Sequence, residues 1–315
     1  LPAISGANLT AVNAVNGGRK NLIINGGFDV WQRGTSFTGY NKYTADRWKT
    51  NVSVAPTSQS FDRVQELNRN LFRWQCTTTG IAVVQQRIEG NKLAGKTVTL
   101  SFWAKGSGSG LSLKFRTYHN GSWIDTTLES NIVLTSTLTK YTYTTTAHSI
   151  STVPTASDFN SIEYALTNNT IDMYISDVQL ELGSTATDFE HRSYGEELAL
   201  CQRYYQEPLV RSVAGKLDTN WQGNPSNIFS TTRAFFKVSL PVTLRALPTA
   251  TVFNPKFDLA WNNSQQQTTA QPSTMYPDIQ AIGLDLNNGG TNFIVGYPAH
   301  VDIGSGCYVT LDAEL

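Results

Sequence analysis

The sequence predicts an all-β protein with two antiparallel β-sandwich domains, which a short α-helix joins, and an extended N-terminal connector. From Asn21 onward the chain consists of short runs rich in Val, Ile, Thr, Tyr and Phe, punctuated by Gly, Asn and Ser. The alternation of strand and helix that indicates a parallel sheet does not appear. One segment, near residue 193, has helical spacing instead.

Composition allows this architecture and excludes several classes of partner. The 315 residues are 40% hydrophobic, enough for a core in each of two domains. The 24 basic and 24 acidic side chains cancel, so no net field favours nucleic acid or an anionic membrane. No apolar run approaches the roughly 20 residues of a membrane helix, and no secretory leader is visible. We therefore expect no membrane insertion and no export signal.

The three cysteines, Cys76, Cys201 and Cys307, are far apart and odd in number. Their spacing matches neither a zinc site nor a disulfide framework. We expect them to be buried as small apolar residues.

Residues 1–20 mix small residues with Gly and Asn and show neither helical nor strand periodicity, which predicts a connector. The first sandwich domain is predicted to span residues 21–192. Within it, alternation of apolar and polar residues predicts which side chains face the core. The predicted inward set is Val98, Leu100, Phe102 and Ala104 in one strand and Leu111, Leu113 and Phe115 in the next.

Two irregularities are predicted in this domain. Asn120-Gly121, between two strand-like runs, predicts a two-residue hairpin turn. Across residues 171–182 the apolar positions change phase, which a β-bulge near Ser176 and Asp177 would explain.

The helix is predicted at residues 193–207. Ser193 and Glu196 form a capping-box pattern, and Tyr194, Leu198, Cys201 and Tyr205 recur at helical spacing. We expect the helix to run to about Gln206 and to end before Pro208. The second domain then spans 208–315, with a polar, turn-rich stretch from Asn262 to Pro277 and strands around 279–286, 292–297 and 306–314.

Several blocks occur in order: NLIINGGFDVWQRG, TADRW, LSFWAKG and SDVQLELGSTATDFEHRSYGEELALCQRYY. This set, over about residues 21–207, resembles a recurring module of bacteriophage tail fibres and related virion proteins. Its opening strand and the SDVQLELG strand also resemble jelly-roll carbohydrate-binding modules. Residues 1–12 resemble the end of a fibre shaft, and SLPVTLRALPTATV resembles strands that follow the module in other fibre proteins.

The resemblance implies a receptor-binding head that attaches a virion to host cell-surface polysaccharide. It implies a jelly-roll-like fold, a homotrimer, other virion tail or fibre proteins as partners, and a location on the virion. In the carbohydrate-binding modules a structural calcium often joins the opening strand to a late one. The corresponding carboxylates here are Asp29 and Asp177.

Sugar binding usually needs an aromatic ring against the apolar face of the sugar and polar groups for its hydroxyls. The candidates in the first domain, on strand faces opposite the apolar sets or just past the hairpin, are Trp103, Lys114, Arg116, Tyr118 and Trp123. In the second domain Trp221 and Trp261 lie in Asn- and Gln-rich sequence. The alternative is that these side chains pack against a sheet, a loop or a neighbouring subunit.

A further cluster comprises Trp31, Arg33, Asp46, Arg47 and Trp48. An Asp beside Arg and between aromatics could orient a ligand through charge-assisted hydrogen bonds. We expect a structural role instead, with the tryptophans in the core and the charged groups satisfying backbone atoms and one another.

Catalytic signatures are missing from the sequence. The four histidines are scattered, and no HExxH, GxSxG or phosphate-loop motif is present. We therefore expect a non-enzymatic protein. Two other hypotheses stay open: a structural virion protein in capsid decoration or tail assembly, and a polysaccharide depolymerase whose carboxylates meet only in the fold.

Overall fold

The structure is a computed structural model. It describes residues 19–66, 68–150, 155, 157–209, 226–227, 233–253, 257–261, 264–287, 298–303 and 308–315. The predicted connector therefore lies almost entirely outside the described residues, as do Trp221, Cys307 and the strand predicted at 292–297. The chain divides into two compact units, residues 1–198 with Leu315 and residues 199–314, each of which is described by itself. Among the described residues no helix has the length and apolar character to cross a membrane.

The first unit consists of antiparallel strands. These are β1 (Ser36–Thr38), β2 (Trp48–Val52), β3 (Ser58–Glu66), β4 (Arg69–Thr77), β5 (Ile81–Glu89), β6 (Thr97–Gly108), β7 (Leu111–His119), β8 (Ser122–Glu129), β9 (Thr139–Thr146), β10 (Phe159–Thr167) and β11 (Thr170–Leu182).

The strands form two sheets. Sheet I has the order β1-β3-β4-β11-β6-β9, and sheet II has the order β2-β5-β10-β7-β8. From β4 to β7, and again from β9 to β11, the chain alternates between the two sheets, as in a jelly roll. The predicted all-β, antiparallel sandwich is confirmed.

The inner faces of the two sheets form one hydrophobic core. The predicted inward residues of β6 and β7 are all buried in it, as alternation along a strand requires. Three tryptophans fill the same core: Trp31, Trp48 and Trp74. Cys76 is also buried there, and its burial raises the pKa of the thiol to about 11.

Both predicted irregularities are confirmed. The pairing of β11 with β6 shifts register between Ser176 and Gln179, and Asp177 has a left-handed backbone with φ of 50°. β7 and β8 are joined by Asn120 and Gly121, which have φ values of 49° and 78°. Positive φ at both central positions matches the turn that Asn-Gly favours.

The cluster around Asp46 is structural, as expected. Asp46 is buried, pairs with Arg33 at 3.1 Å and accepts a hydrogen bond from the Gln32 side chain at 2.9 Å. Arg47 is buried as well and donates to the carbonyl oxygen of Arg87 at 2.7 Å. The indole of Trp48 donates to the carbonyl of Asn25 at 3.1 Å.

The helix is shorter than the sequence predicts. α1 spans Tyr194–Gln202 and includes the point where the two units divide. The capping box is confirmed, since Ser193 and Glu196 exchange hydrogen bonds of 3.1 to 3.3 Å. The predicted end at Gln206 is wrong, because Tyr205 and Gln206 pair with strand β20, and this tertiary pairing overrides the helical spacing.

The second unit is also built of antiparallel strands. These are β12 (Tyr205–Leu209), β13 (Ser226–Asn227), β14 (Arg233–Ser239), β15 (Thr249–Phe253), β16 (Phe257–Trp261), β17 (Ser264–Pro277), β18 (Ala281–Asn287), β19 (Pro298–Ile303) and β20 (Tyr308–Asp312). Their orders are β12-β20-β15 and β13-β19-β16-β17-β18-β14. The predicted turn-rich stretch 262–277 is largely strand β17, because its backbone pairs with β16 and β18.

Candidate functional site

The outer face of sheet II carries most of the residues that the sequence predicts for binding. Leu113, Phe115 and Thr117 of β7 point into the core, so Lys114, Arg116 and Tyr118 must point outward. The two-residue turn then returns the chain so that Trp123 of β8 lies directly opposite Tyr118. On the other side of β7, Phe159 of β10 also pairs with Tyr118.

Tyr118, Trp123 and Phe159 form one aromatic cluster. The Tyr118 ring lies 5.0 Å from the Phe159 ring in a stacked arrangement and 5.0 Å from the Trp123 ring edge-to-face. Trp123 and Phe159 are 5.3 Å apart at 80°. These geometries are favourable for aromatic pairs and hold the rings in place. Phe159 is 6% exposed and Trp123 is 38% exposed, so the cluster has a buried base and an indole open to solvent.

Arg116 fixes the indole from one side. Its guanidinium carbon lies 4.1 Å from the centre of the Trp123 ring, a cation-π contact. The same guanidinium donates to Asp125 at 2.6 Å and to both oxygens of Glu163 at 3.0 Å. Lys114 lies 3.7 Å from the other oxygen of Asp125. The two acids thus hold Arg116 in one position, which limits the motion of Trp123.

Burial shapes the charges on this face. Burial raises the pKa of Glu163, and the neighbouring Arg116 offsets only part of that effect. A second cation, Arg87, lies 4.5 Å above the Phe159 ring, and its burial lowers the pKa of the guanidinium. The rings are therefore bordered by two guanidinium groups, of which Arg116 is paired with acids.

The hairpin that presents Trp123 is anchored by a buried carboxylate. Asp158 accepts hydrogen bonds from His119 at 2.6 Å, from the Thr155 hydroxyl at 2.7 Å and from the Asn120 backbone at 3.4 Å. Burial alone would raise the pKa of Asp158, but these hydrogen bonds outweigh it and hold the pKa well below its ordinary value. Asp158 therefore ties the turn to the base of the aromatic cluster.

Solved structures that match the chain cover about half of it. A carbohydrate-binding module of family 4 is 19% identical, with a TM-score of 0.34, over 50% of this chain and 98% of its own. The enzymatically active domain of tailspike protein 4 from bacteriophage CBA120 is 17% identical, with a TM-score of 0.35, over 52% of this chain and 21% of its own. A family 11 carbohydrate-binding module of a Clostridium thermocellum cellulosomal cellulase is 11% identical, with a TM-score of 0.33, over 49% of this chain and 97% of its own. No protein-family model and no curated protein matches the sequence.

The structure brings four of the predicted binding residues together and separates a fifth. Lys114, Arg116, Tyr118 and Trp123 share the outer face of sheet II. Trp103 belongs to β6 and therefore lies on the outer face of sheet I, on the opposite side of the sandwich. Trp261 lies in strand β16 of the second unit, and Trp221 lies outside the described residues.

Sequence reasoning missed three members of this face: Arg87, Phe159 and Glu163. Phe159 and Glu163 belong to β10, the central strand of sheet II, which is buried on both faces. Arg87 belongs to the neighbouring strand β5, in which polar and apolar residues do not alternate. A strand buried on both faces shows no alternation of apolar and polar residues, so its outward positions carry no signal. Pairing between strands, which places Phe159 opposite Tyr118, is visible only in the fold.

The residues around the predicted calcium position do not fit that metal. Asp29 accepts a hydrogen bond from the Asn70 amide at 2.5 Å, and Asp177 pairs with Arg69 at 2.9 Å. One carboxylate is thus engaged by an N–H donor and the other by a cation, whereas calcium needs six to eight oxygens around it. In the part of the chain that the structure describes, no three His, Cys, Asp or Glu side chains are grouped to hold a metal.

Proposed function

We propose that this protein is a carbohydrate-binding adhesion module whose binding face is the outer side of sheet II. The observation that carries the proposal is the aromatic cluster, with an indole that is open to solvent and fixed by Arg116. A sugar ring stacks its C–H face on such an indole and directs its hydroxyls to neighbouring polar groups. Asp125, Lys114 and Arg116 supply acceptors and donors around the ring.

Binding without catalysis fits the charges on the face. Cleavage of a glycosidic bond needs one carboxylic acid that protonates the leaving oxygen and a second carboxylate nearby. Asp125 and Glu163 both accept hydrogen bonds from Arg116, so the two carboxylates on this face are engaged by one guanidinium and neither is directed toward a glycosidic oxygen while that pairing holds. We therefore propose an adhesin rather than a depolymerase.

The proposed setting is a bacteriophage tail fibre, with the module at the surface of the virion as a homotrimer among other fibre proteins. The support for this is the ordered set of sequence blocks from NLIINGGFDVWQRG to ALCQRYY. Repetition of a weak site across a trimer and several fibres would give strong attachment through avidity. One isolated head should accordingly bind host polysaccharide weakly.

A glycan array tests the proposal directly. Purified protein should bind a subset of surface polysaccharides, and the Trp123→Ala variant should bind them at least tenfold more weakly, which corresponds to about 1.4 kcal/mol. Ile124→Ala is the matched control. Ile124 follows Trp123 on β8 and is similarly exposed, at 37%, but its side chain lies on the opposite face of the sheet.

Three results would contradict the proposal that the outer face of sheet II binds glycans without cleaving them. Equal loss of binding in both variants would mean that the hairpin, rather than the indole, is involved. Shortened oligosaccharides after incubation would establish a depolymerase. No binding to any glycan would favour the structural virion role.

A further inference from the structure

The outer face of sheet I carries a second polar surface, on the side of the sandwich opposite the aromatic cluster. Alternation directs Trp103, Lys105 and Ser107 of β6 outward. The register places Lys105 beside Tyr174 and Ser107 beside Asp172 on β11. From the half-buried Trp103 to the exposed Ser107, this outward row extends about 13 Å along the strand.

A groove of about 630 Å³ crosses one end of this face. Its wall includes hydroxyl, amide and carboxylate side chains, although carbon atoms contribute most of its exposed surface; the polar residues are Ser58, Ser60, Gln75, Thr77, Thr170 and Asp172. This volume is within the range of small-molecule sites, and its lining can both donate and accept hydrogen bonds. Such a lining matches a ligand with many hydroxyl groups.

The charges beside the groove are paired with one another. Arg73 donates to the two oxygens of Asp172 at 2.9 and 2.8 Å, and Gln75 donates to one of them at 3.3 Å. Lys105 pairs with Glu66 at 2.5 Å. Because these charges cancel locally, the face offers hydrogen bonds without a net field, which favours an uncharged ligand.

Aromatic rings line the route away from the groove. The Tyr174 ring lies between two cations, with Arg73 at 5.1 Å and Lys105 at 5.3 Å from its centre. Trp103 lies in the next outward position of β6, with Arg69 4.8 Å from its ring. A second cavity of about 480 Å³ adjoins Arg69 at the turn between β3 and β4, where its lining is Gln65, Glu66, Asn68, Arg69 and Asn70.

We propose that the outer face of sheet I is a second carbohydrate site, which takes an uncharged oligosaccharide through the groove and along Tyr174 and Trp103. This site is independent of the one on sheet II. With both, one head holds two glycan chains, or two segments of one chain, from opposite sides of the sandwich.

Titration calorimetry with neutral hexasaccharides of glucose, galactose, mannose and N-acetylglucosamine tests this. The informative variant is Ser107→Trp, because Ser107 is exposed in the groove wall and a large ring there fills the groove without removing a core contact. The matched control is Val133→Trp, which adds the same ring at a side chain that is 68% exposed and lies outside the groove. Thermal unfolding of both variants checks that the fold is intact.

We expect the full chain to bind at both faces, Ser107→Trp to lose one site, Trp123→Ala to lose the other, and Val133→Trp to keep both. If Trp123→Ala abolishes all binding, or if Ser107→Trp keeps the stoichiometry of the unmodified chain, the site on sheet I does not exist and the site on sheet II stands. If Ser107→Trp abolishes all binding while Trp123→Ala changes nothing, the site on sheet II fails instead. Absence of binding by all four sugars overturns the neutral-oligosaccharide proposal for sheet I.

Discussion

Arg116 donates from one nitrogen to both carboxylate oxygens of Glu163, at 3.0 Å each. The Glu163 side chain is only 5% exposed, whereas that of Arg116 is 22% exposed. The pair therefore combines a buried acid with a cation near the surface, and the free energy of unfolding should depend on pH through Glu163. The fold and the candidate site are coupled here, since the same Arg116 contacts Trp123.

Replacing Arg116 with Met should destabilise the protein at pH 7 by about 3 kcal/mol, because a buried carboxylate loses its counter-ion. Burial raises the pKa of Glu163 above its ordinary value of 4.5, and Arg116 offsets part of that rise. The Arg116→Met variant loses this offset, so the pKa of Glu163 should rise further. An acid whose pKa is higher in the folded than in the unfolded protein destabilises the fold when it is ionised. This loss of stability becomes smaller as the pH falls through the folded-state pKa of Glu163 toward 4.5, because the acid is then protonated in the folded protein. Urea unfolding should therefore show a smaller deficit at pH 5 than at pH 7.

The double variant Arg116→Met, Glu163→Gln supplies the control for this titration. Because the double variant lacks the carboxylate, its loss in the free energy of unfolding should be the same at pH 5 and pH 7. A single variant whose deficit does not change with pH would show that Glu163 is not the titrating group.

Much of the first unit could be predicted from local sequence. Alternation in β6 and β7 gave the inward residues, Asn120-Gly121 gave the hairpin, and the phase change near Ser176 gave the bulge. Each of these features depends on neighbouring residues alone, which is why a single sequence contains it. The capping box at Ser193 is local in the same sense.

The features that could not be predicted depend on distant pairing. α1 ends early because Tyr205 meets Asp312, more than a hundred residues later in the chain. The sequence places Trp103 and Trp123 on equally polar strand faces, but only the strand order assigns them to opposite sides of the sandwich. Only part of the candidate site could therefore be found from the sequence: β7 alternates between buried and outward positions, whereas β10 is buried on both faces and does not.

Asp158 should contribute stability that disappears in acid. The pKa of Asp158 in the folded protein lies below the ordinary value of 3.8, so the ionised carboxylate stabilises the fold above about pH 3.8. This stabilisation is lost as the pH falls from 3.8 through the folded-state pKa. Asp158→Asn should lose about 2 kcal/mol at pH 7, because a buried charged acceptor of several hydrogen bonds is removed. The deficit, measured by urea unfolding, should stay constant down to about pH 4 and narrow below it.

The exposed carboxylate Asp188 offers a comparison, since Asp188→Asn should change the free energy of unfolding by less than about 0.5 kcal/mol at any of these pH values. Asp158→Asn should also weaken glycan binding, because the turn that carries Trp123 loses its anchor. Full stability of Asp158→Asn at pH 7 would contradict the anchoring role.

Gly106 is required by a close approach of two strands. It has φ of 147°, and a Cβ atom there would lie 2.0 Å from the carbonyl oxygen of Asp172 on β11. Gly106→Ala must therefore separate β6 from β11, and we expect a loss of more than about 3 kcal/mol in the free energy of unfolding. Gly183 has φ of 105° with nothing within 4 Å of its Cβ position, so Gly183→Ala isolates backbone strain and should cost about 1 kcal/mol. Similar losses in the two variants, measured by urea unfolding, would show that the steric contact with Asp172 is relieved without cost.

Calcium should not stabilise the first unit through Asp29 and Asp177. Arg69 holds Asp177 at 2.9 Å, and Asn70 donates to Asp29, so a metal would have to displace both groups before it could bind. A ligand present at a hundred times its Kd adds about 2.7 kcal/mol to the free energy of unfolding, which raises Tm by several degrees. Millimolar calcium should instead shift Tm by less than about 1 °C relative to the same concentration of magnesium, and a chelator should leave Tm unchanged. A calcium-specific rise of several degrees that Asp177→Asn abolishes would mean that Arg69 yields its place to the metal.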